Sequence, residues 1–209
     1  MGLPDRYFFY PAQFWPHKNH VRIVQAMALL KQRGVAVHMV FSGSTVGGEF
    51  REQIHQTVQE EATRAGITGQ IRILGYVEEQ HMAALYAGAV ALVMPTFFGP
   101  TNIPPLEAWA LGCPVLTSDI RGIREQMGNA AVLADPRSVE AIAGGMERLW
   151  TDATFCQSLR EAGRQRLAGY TPQHYQTRLN AIMEEAVTRV QQGVVPAPPQ
   201  SRKSQHGTD

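Results

Sequence analysis

Residues 89–119 read AVALVMPTFFGPTNIPPLEAWALGCPVLTSD. Three kinds of chain follow one another here. Residues 89–94 are a short apolar run. Residues 98–107 place one Gly, three Pro and an Asn in a stiff loop that ends on the carboxylate of Glu107. The AWALG that follows has a helical pattern, and Gly112-Cys113-Pro114 then returns the chain to a second apolar run, 115–118. Strand, loop, helix, strand is the βαβ unit of a parallel sheet. Strands apolar on both faces suit a sheet covered by helices on both sides.

The same alternation extends outward in both directions. Strands are predicted at 7–11, 37–42, 71–74, 90–94, 115–118 and 131–133. Helices are predicted at 19–32, 49–64, 78–87, 104–111, 123–126, 139–150, 155–168 and 172–192. Glycines punctuate the helix ends: Gly34 after the first helix, Gly66 and Gly69 after the second. Ser138 is placed to cap the helix that follows Pro136. The expected fold is α/β, a Rossmann-like doubly wound parallel sheet over residues 1–193. Residues 194–209, VVPAPPQSRKSQHGTD, read as a disordered tail rich in Pro and polar residues. No internal repeat is present.

Composition bounds the possibilities. The 209 residues are 44% hydrophobic and 18% charged, enough to build a sizeable core and too apolar for global disorder. A net charge of +1 with scattered basic residues argues against nucleic acid or an anionic membrane as main partner. Two cysteines, Cys113 and Cys156, are too few for a disulfide framework and lack metal-ligand spacing. The expected compartment is reducing and cytoplasmic, and Cys113 reads as a small core residue. No apolar run approaches the roughly 20 residues of a membrane span. No signal peptide is expected before the strand at residues 7–10.

In open α/β sheets, ligands bind beyond the carboxyl ends of the strands, which is where FGPTNIPPLE lies. Pro104 and Pro105 suit a first helical turn, and Gly99 permits unusual dihedrals. The N–H groups of Asn102 and Ile103 then face an anion at the positive end of the helix. Glu107, one turn in, can accept two hydroxyl hydrogen bonds, as a ribose offers. The plain alternative is a rigid Pro-rich loop with an ordinary acid near the helix start. The stretch YPAQFWPHKNH, residues 10–20, also joins a strand to a helix. Its Lys18 is a natural phosphate partner at the same crevice, against the alternative of a solvated lysine. His17 and His20 read as surface or packing residues. VFSGS (40–44) ends a strand in small residues around Gly43, and RILGYV (72–77) turns on Gly75.

Together these stretches resemble the nucleotide-sugar-binding half of GT-B glycosyltransferases, in particular the retaining family called group 1, or family 4. AQFWPHKNH resembles the family's Gly-Arg-x-x-x-x-Lys-Gly/Asn segment, and VFSGS its second-strand end. IRILGYVEEQHMAALYAGAVALVMPT resembles the run carrying the base-contacting loop, and GPTNIPPLEAWALGCPVLTSD the Glu-x7-Glu motif with its following strand. The resemblance implies roles. Lys18 contacts the donor diphosphate, with Asn102 and Ile103 forming the diphosphate-binding turn. Glu107 binds the ribose hydroxyls, and Gly75, Tyr76 and Val77 contact the base through their backbone. Gly43 and Gln13 line the same edge.

Two residues depart from the pattern. The family's usual Arg is Gln13 here, and the first Glu of the motif falls on Gly99. The resemblance further implies a second Rossmann-like domain, bearing the acceptor site and the usual catalytic His, in a longer protein. The helix 172–192, with Leu179, Ile182, Met183, Ala186 and Val190 at helical spacing, resembles the one that crosses back to that domain. The implied reaction is retaining sugar transfer from a UDP-, GDP- or ADP-sugar to a glycan or glycolipid acceptor hydroxyl. Bacterial surface polysaccharide such as O-antigen or capsule is the implied product. The implied catalysis is electrostatic and needs no metal, and the lack of an Asp-x-Asp cluster accords with it. Nucleic acid is not an expected partner, and any membrane contact, peripheral at the inner face, would come through the other domain.

Three rivals are weighed. A nicotinamide-dependent oxidoreductase would want Gly-x-Gly-x-x-Gly after the first strand, where PAQFWP stands. A GT-B-type nucleotide-sugar epimerase would need an acid/base set that is not evident. A degenerate binding or interaction module is favoured by Gln13 and Gly99.

Overall fold

Six strands form one parallel sheet in the computed structural model, which describes residues 2–99 and 103–193. They are β1 (Phe8–Pro11), β2 (Met39–Ser42), β3 (Ile71–Ile73), β4 (Ala91–Met94), β5 (Val115–Ser118) and β6 (Val132–Ala134). Their spatial order is β3-β2-β1-β4-β5-β6, so the chain builds outward from β1 to β3, crosses back beside β1 and then builds the other way. Phe8 pairs with Met39 on one side and Ala91 on the other. This is the doubly wound order, and it leaves a crevice between β1 and β4 at their carboxyl ends.

Among the described residues, seven α-helices connect and cover the strands: α1 (His20–Gln32), α2 (Glu49–Arg64), α3 (Glu79–Gly88), α4 (Ile103–Ala110), α5 (Ile123–Met127), α6 (Val139–Thr151) and α7 (Ala153–Leu167); α8 (Pro172–Gln191) follows them in sequence. Each predicted element is present, with ends shifted by a residue or two. The start of α7 is the informative case. Asp152 accepts a hydrogen bond from the Phe155 N–H at 2.8 Å, so the helix opens at Ala153 rather than at the predicted residue 155. Every residue of β2, β4 and β5 is buried, as strands covered on both faces must be. Phe8, Phe9, Tyr10, Phe14, Phe41 and Leu92 are among the largest fully buried side chains. Both cysteines are free and buried, and burial pushes the Cys113 thiol up to about 12, which suits packing rather than nucleophilic chemistry.

Helix α1 packs against α2 and α6, while α4 packs against α3 and α7. The α4–α7 contact is close because Gly163 has no side chain: a Cβ there would stand 2.4 Å from Trp109 Cδ1. The Trp109 ring is held by its Nε1–H bond to the Ala130 carbonyl at 3.1 Å. Gly163→Ala should therefore destabilise by roughly 1–3 kcal/mol through overpacking, outweighing the ~1 kcal/mol that Ala gains over Gly in a helix. Denaturant unfolding checks this, and a variant as stable as the wild type would refute it.

Contacts divide the chain after Ala168. Within the second unit, α8 is capped by Thr171, whose hydroxyl accepts from the His174 N–H at 3.1 Å. None of its residues is buried, and Leu179, Ile182, Met183 and Val190 of the predicted stripe are exposed. The predicted tail, 194–209, lies outside the described residues. Among the described residues no helix is long and apolar enough to cross a membrane.

Candidate nucleotide site at the sheet's carboxyl edge

The loop leaving β1 and the loop leaving β4 are joined over the crevice. The His17 carbonyl accepts from the Phe97 N–H at 2.8 Å and lies 2.8 Å from the Thr96 hydroxyl. That hydroxyl is also 2.7 Å from the Phe98 carbonyl. Thr96 itself is fully buried. Lys18 follows directly, closing a 3₁₀ turn over Pro16–Lys18, and its carbonyl accepts from the Tyr10 hydroxyl at 3.0 Å. The structure thus brings Lys18 to the start of the Pro-rich loop, although the Thr96–His17 bond that joins them spans 79 residues of sequence. Lys18 is half-buried, and burial holds its ammonium below the ordinary lysine range.

Asn19 explains why a lysine can be presented there. Its φ is 62°, in the left-handed region, which Gly and Asn occupy at least cost. Its Nδ2 donates to the carbonyls of Pro95 and Pro136, both at 2.8 Å. One buried amide therefore ties the loops after β1, β4 and β6. In the sequence Asn19 reads as a helix start and as the Gly/Asn position of the family segment, with no sign of a clamp. Its clamping role depends on partners 76 and 117 residues away.

On the other side of β1, the Gly43 N–H donates to the Gly75 carbonyl at 2.7 Å, joining the ends of β2 and β3. Gly75 has φ +67. Tyr76 beside it is 82% exposed, and Val77 is half-buried against the core. Gly43, Gly75, Tyr76 and Val77 thus lie on the same sheet edge as Lys18. Gly99 ends the first described segment and Asn102 lies outside the described residues. Ile103 opens α4 and is exposed, with Pro104 and Pro105 in the first turn as expected.

Glu107 is the fifth residue of α4, one turn past its start. Its side chain is exposed, and Oε2 accepts from the Tyr86 hydroxyl of α3 at 2.7 Å. Tyr86 is buried and packs edge-on against Phe9 of β1 at 5.1 Å. The carboxylate is thereby oriented through one oxygen, leaving acceptor capacity on the other. Among the described residues no ion pair joins Glu107 to Lys18. Sequence reading missed Tyr86, which looks like any aromatic within a helix.

Gln13 is exposed and its Oε1 accepts from Trp15 Nε1 at 3.0 Å. A residue not anticipated from sequence also reaches it: Arg51, in the first turn of α2, approaches Gln13 Oε1 with Nη1 at 3.5 Å and donates from Nη2 to the Gly47 carbonyl. Its guanidinium lies 5.0 Å from the centre of the Trp15 ring. His17 is partly buried, while His20 is fully buried and stacks on Phe14 at 4.2 Å, a packing residue as read. A shallow cleft between α2 and β3, lined by Val58, Ala62 and Ile73, gathers no such set of polar groups.

Comparison with known proteins bears on the fold and the family. The chain is 33% identical over 162 residues to O-antigen chain mannosyltransferase B of Escherichia coli, covering 75% of this chain and 41% of that protein. Sucrose-phosphate synthase from Thermosynechococcus elongatus superposes with a TM-score of 0.74 at 19% identity, over 89% of this chain and 47% of that one. A glycosyltransferase from Rickettsia africae does so at 0.69 and 17%, over 90% and 49%. The chain thus spans less than half the length of each, and the two structures share its fold, one half of a GT-B arrangement. Residues 3–166 match the family described as glycosyl transferases group 1. With that match covering most of the chain, the protein belongs to the group 1 glycosyltransferases.

Proposed function

We propose that this chain is the donor half of a retaining family 4 glycosyltransferase, binding a nucleotide-diphospho-sugar whose sugar passes to an acceptor hydroxyl. The observation that carries the reading is the join between the Lys18 loop and the β4–α4 loop at the crevice between β1 and β4. A diphosphate leaving group develops negative charge as the glycosidic bond breaks. Lys18 and the amino end of α4 stand where preorganised positive charge stabilises that oxyanion. Glu107, steadied by Tyr86, takes the ribose hydroxyls, and the Gly75–Val77 backbone takes the base. The role of Asn102 rests on the family pattern alone.

The reaction in this reading needs no metal. A second domain of the whole protein supplies the acceptor site, and this chain alone does not turn over. The mannosyltransferase relative named for O-antigen supports surface polysaccharide as the product and a hexose as the transferred sugar. The neutral Gln13 and Gly99 keep a non-catalytic binding module as the second reading.

Calorimetric titration with UDP, GDP, ADP and NAD tests the proposal. One diphosphate is expected to bind selectively. Lys18→Ala and Glu107→Ala are each expected to weaken it about tenfold or more, with melting temperatures close to wild type. Equal affinity in both variants, or NAD binding as well as any diphosphate, would sink these roles.

A further inference from the structure

We infer that Arg51 is the second cation of the diphosphate crevice, supplying from α2 the charge that Gln13 does not bring from the β1–α1 loop. The inference rests on the donor-site reading above and extends it to a residue outside every stretch that carries the family resemblance.

The argument begins with position. Arg51 lies beyond the carboxyl end of β2, the neighbour of β1, and so on the same edge of the sheet as Lys18. It does not extend outward from α2. Its side chain folds back over the Gly47-Gly48 turn and meets the loop that runs from Ala12 to Lys18. Gly47 allows this: a Cβ there would stand 3.0 Å from Nη2. The guanidinium carbon stands over the Trp15 ring, 5.0 Å from its centre, a cation–π contact that helps hold the side chain there.

The second point is unspent capacity. A guanidinium has five N–H donors. Nη2 uses a bond on Gly47, and Nη1 reaches Gln13 only at the long limit of 3.5 Å. Nε is buried with no partner. Among the described residues no carboxylate lies within 4.0 Å of Arg51. A cation held in place, under-bonded and unpaired beside Lys18's loop is matched to a phosphate, which accepts bidentate bonds from a planar fork.

The third point is why residue 13 is not basic. An arginine at that position would place a second guanidinium where Gln13 now accepts from Arg51. Glutamine instead gives the cation an oxygen to lean on. The loop carries one charge from a different element rather than losing it.

The test titrates the full 209-residue chain with whichever of UDP, GDP or ADP it binds best. The variants are Lys18→Ala, Arg51→Met, Arg51→Lys and the double variant Gln13→Arg/Arg51→Met. Arg51→Met keeps an apolar stem against Trp15. It is expected to weaken binding on the order of tenfold and to flatten the dependence of affinity on salt, because one charge contact is gone. Arg51→Lys should lose less, and the double variant should recover most of the loss. Wild-type affinity and salt dependence in Arg51→Met, with binding lost in Lys18→Ala, would overturn this inference and leave the donor-site reading standing. Weakening without a change in salt dependence and without recovery in the double variant would make Arg51 a structural prop, again overturning it. Failure of every diphosphate to bind, or indifference to Lys18→Ala, would overturn both.

Discussion

Gly43→Ala is expected to lose roughly 2–6 kcal/mol of stability, the sum of two causes, and to cost the remaining folded protein most of its nucleotide affinity. Gly43 has φ +128, a region that side-chain-bearing residues occupy only under strain of about 1–3 kcal/mol. A Cβ there would also stand 2.5 Å from the Ala12 carbonyl oxygen and 2.7 Å from the Gln13 nitrogen. Those are backbone atoms, so no rotamer change relieves the clash, and overpacking adds about 1–3 kcal/mol. The Ala12 N–H is bonded to the Ser42 carbonyl at 2.8 Å and the Gly43 N–H to the Gly75 carbonyl at 2.7 Å. The chain leading to Lys18 and the turn at Gly75 would therefore both shift. Gly34→Ala is the control. It too has positive φ, at +80, but nothing lies within 4 Å of its Cβ. It should show only the left-handed strain of about 1–2 kcal/mol with nucleotide affinity intact. Equal melting temperatures for the two variants would show that the close approach at Gly43 has no energetic consequence.

The contrast between those glycines marks where sequence reading stops. A Gly after a helix, such as Gly34, announces itself by pattern. Gly43 shows only a strand ending in small residues, and its approach to Ala12 belongs to the sheet. The strands themselves were legible because parallel strands buried on both faces are continuous apolar runs, and Ala89–Met94 cannot be mistaken for an amphipathic helix of useful length. The crevice followed from strand alternation plus the rule that ligands sit beyond carboxyl ends. Lys18, Glu107, Gly43 and the Gly75 turn all fall on that edge. What was hidden is what holds and supplements them. Asn19 reaches Pro136 across 117 positions, Tyr86 reaches Glu107 across 21 and Arg51 reaches Gln13 across 38. None of these pairs has a local spacing that would betray it. The orphaned charge at Arg51 becomes visible only when its donors are counted in place.

Acid should weaken the domain through His20, and His20→Phe should remove that weakness. The imidazole is fully buried beneath the Lys18 loop, stacked on Phe14 and flanked by Tyr10 and Phe41. Neither ring nitrogen reaches a hydrogen-bond partner. Burial is the chief cause that pushes its pKa down to about 3. The neighbouring Lys18 and His17 add to the shift, and the backbone of Ala12 opposes it without reaching hydrogen-bond geometry. The unfolded chain takes up the proton near pH 6.5, the ordinary histidine value. Between about pH 6.5 and 3 the unfolded state therefore binds a proton that the folded state refuses. Stability rises with pH wherever the unfolded state binds more protons, so this contribution is complete above about pH 6.5 and is lost as pH falls. Each pH unit below about 6.5 removes up to about 1.4 kcal/mol, or roughly 2 kcal/mol by about pH 5, a large share of the ~5–15 kcal/mol of a typical domain. Phe fills the same aromatic cluster without two unpartnered nitrogens. His20→Phe should be as stable as wild type or more so at about pH 7.5, and it should lose less stability than wild type between about pH 7.5 and 5. Urea unfolding at the two pH values decides the matter. The same pH loss in both proteins would place the acid sensitivity in other groups and show that His20 is protonated in the folded state at little cost.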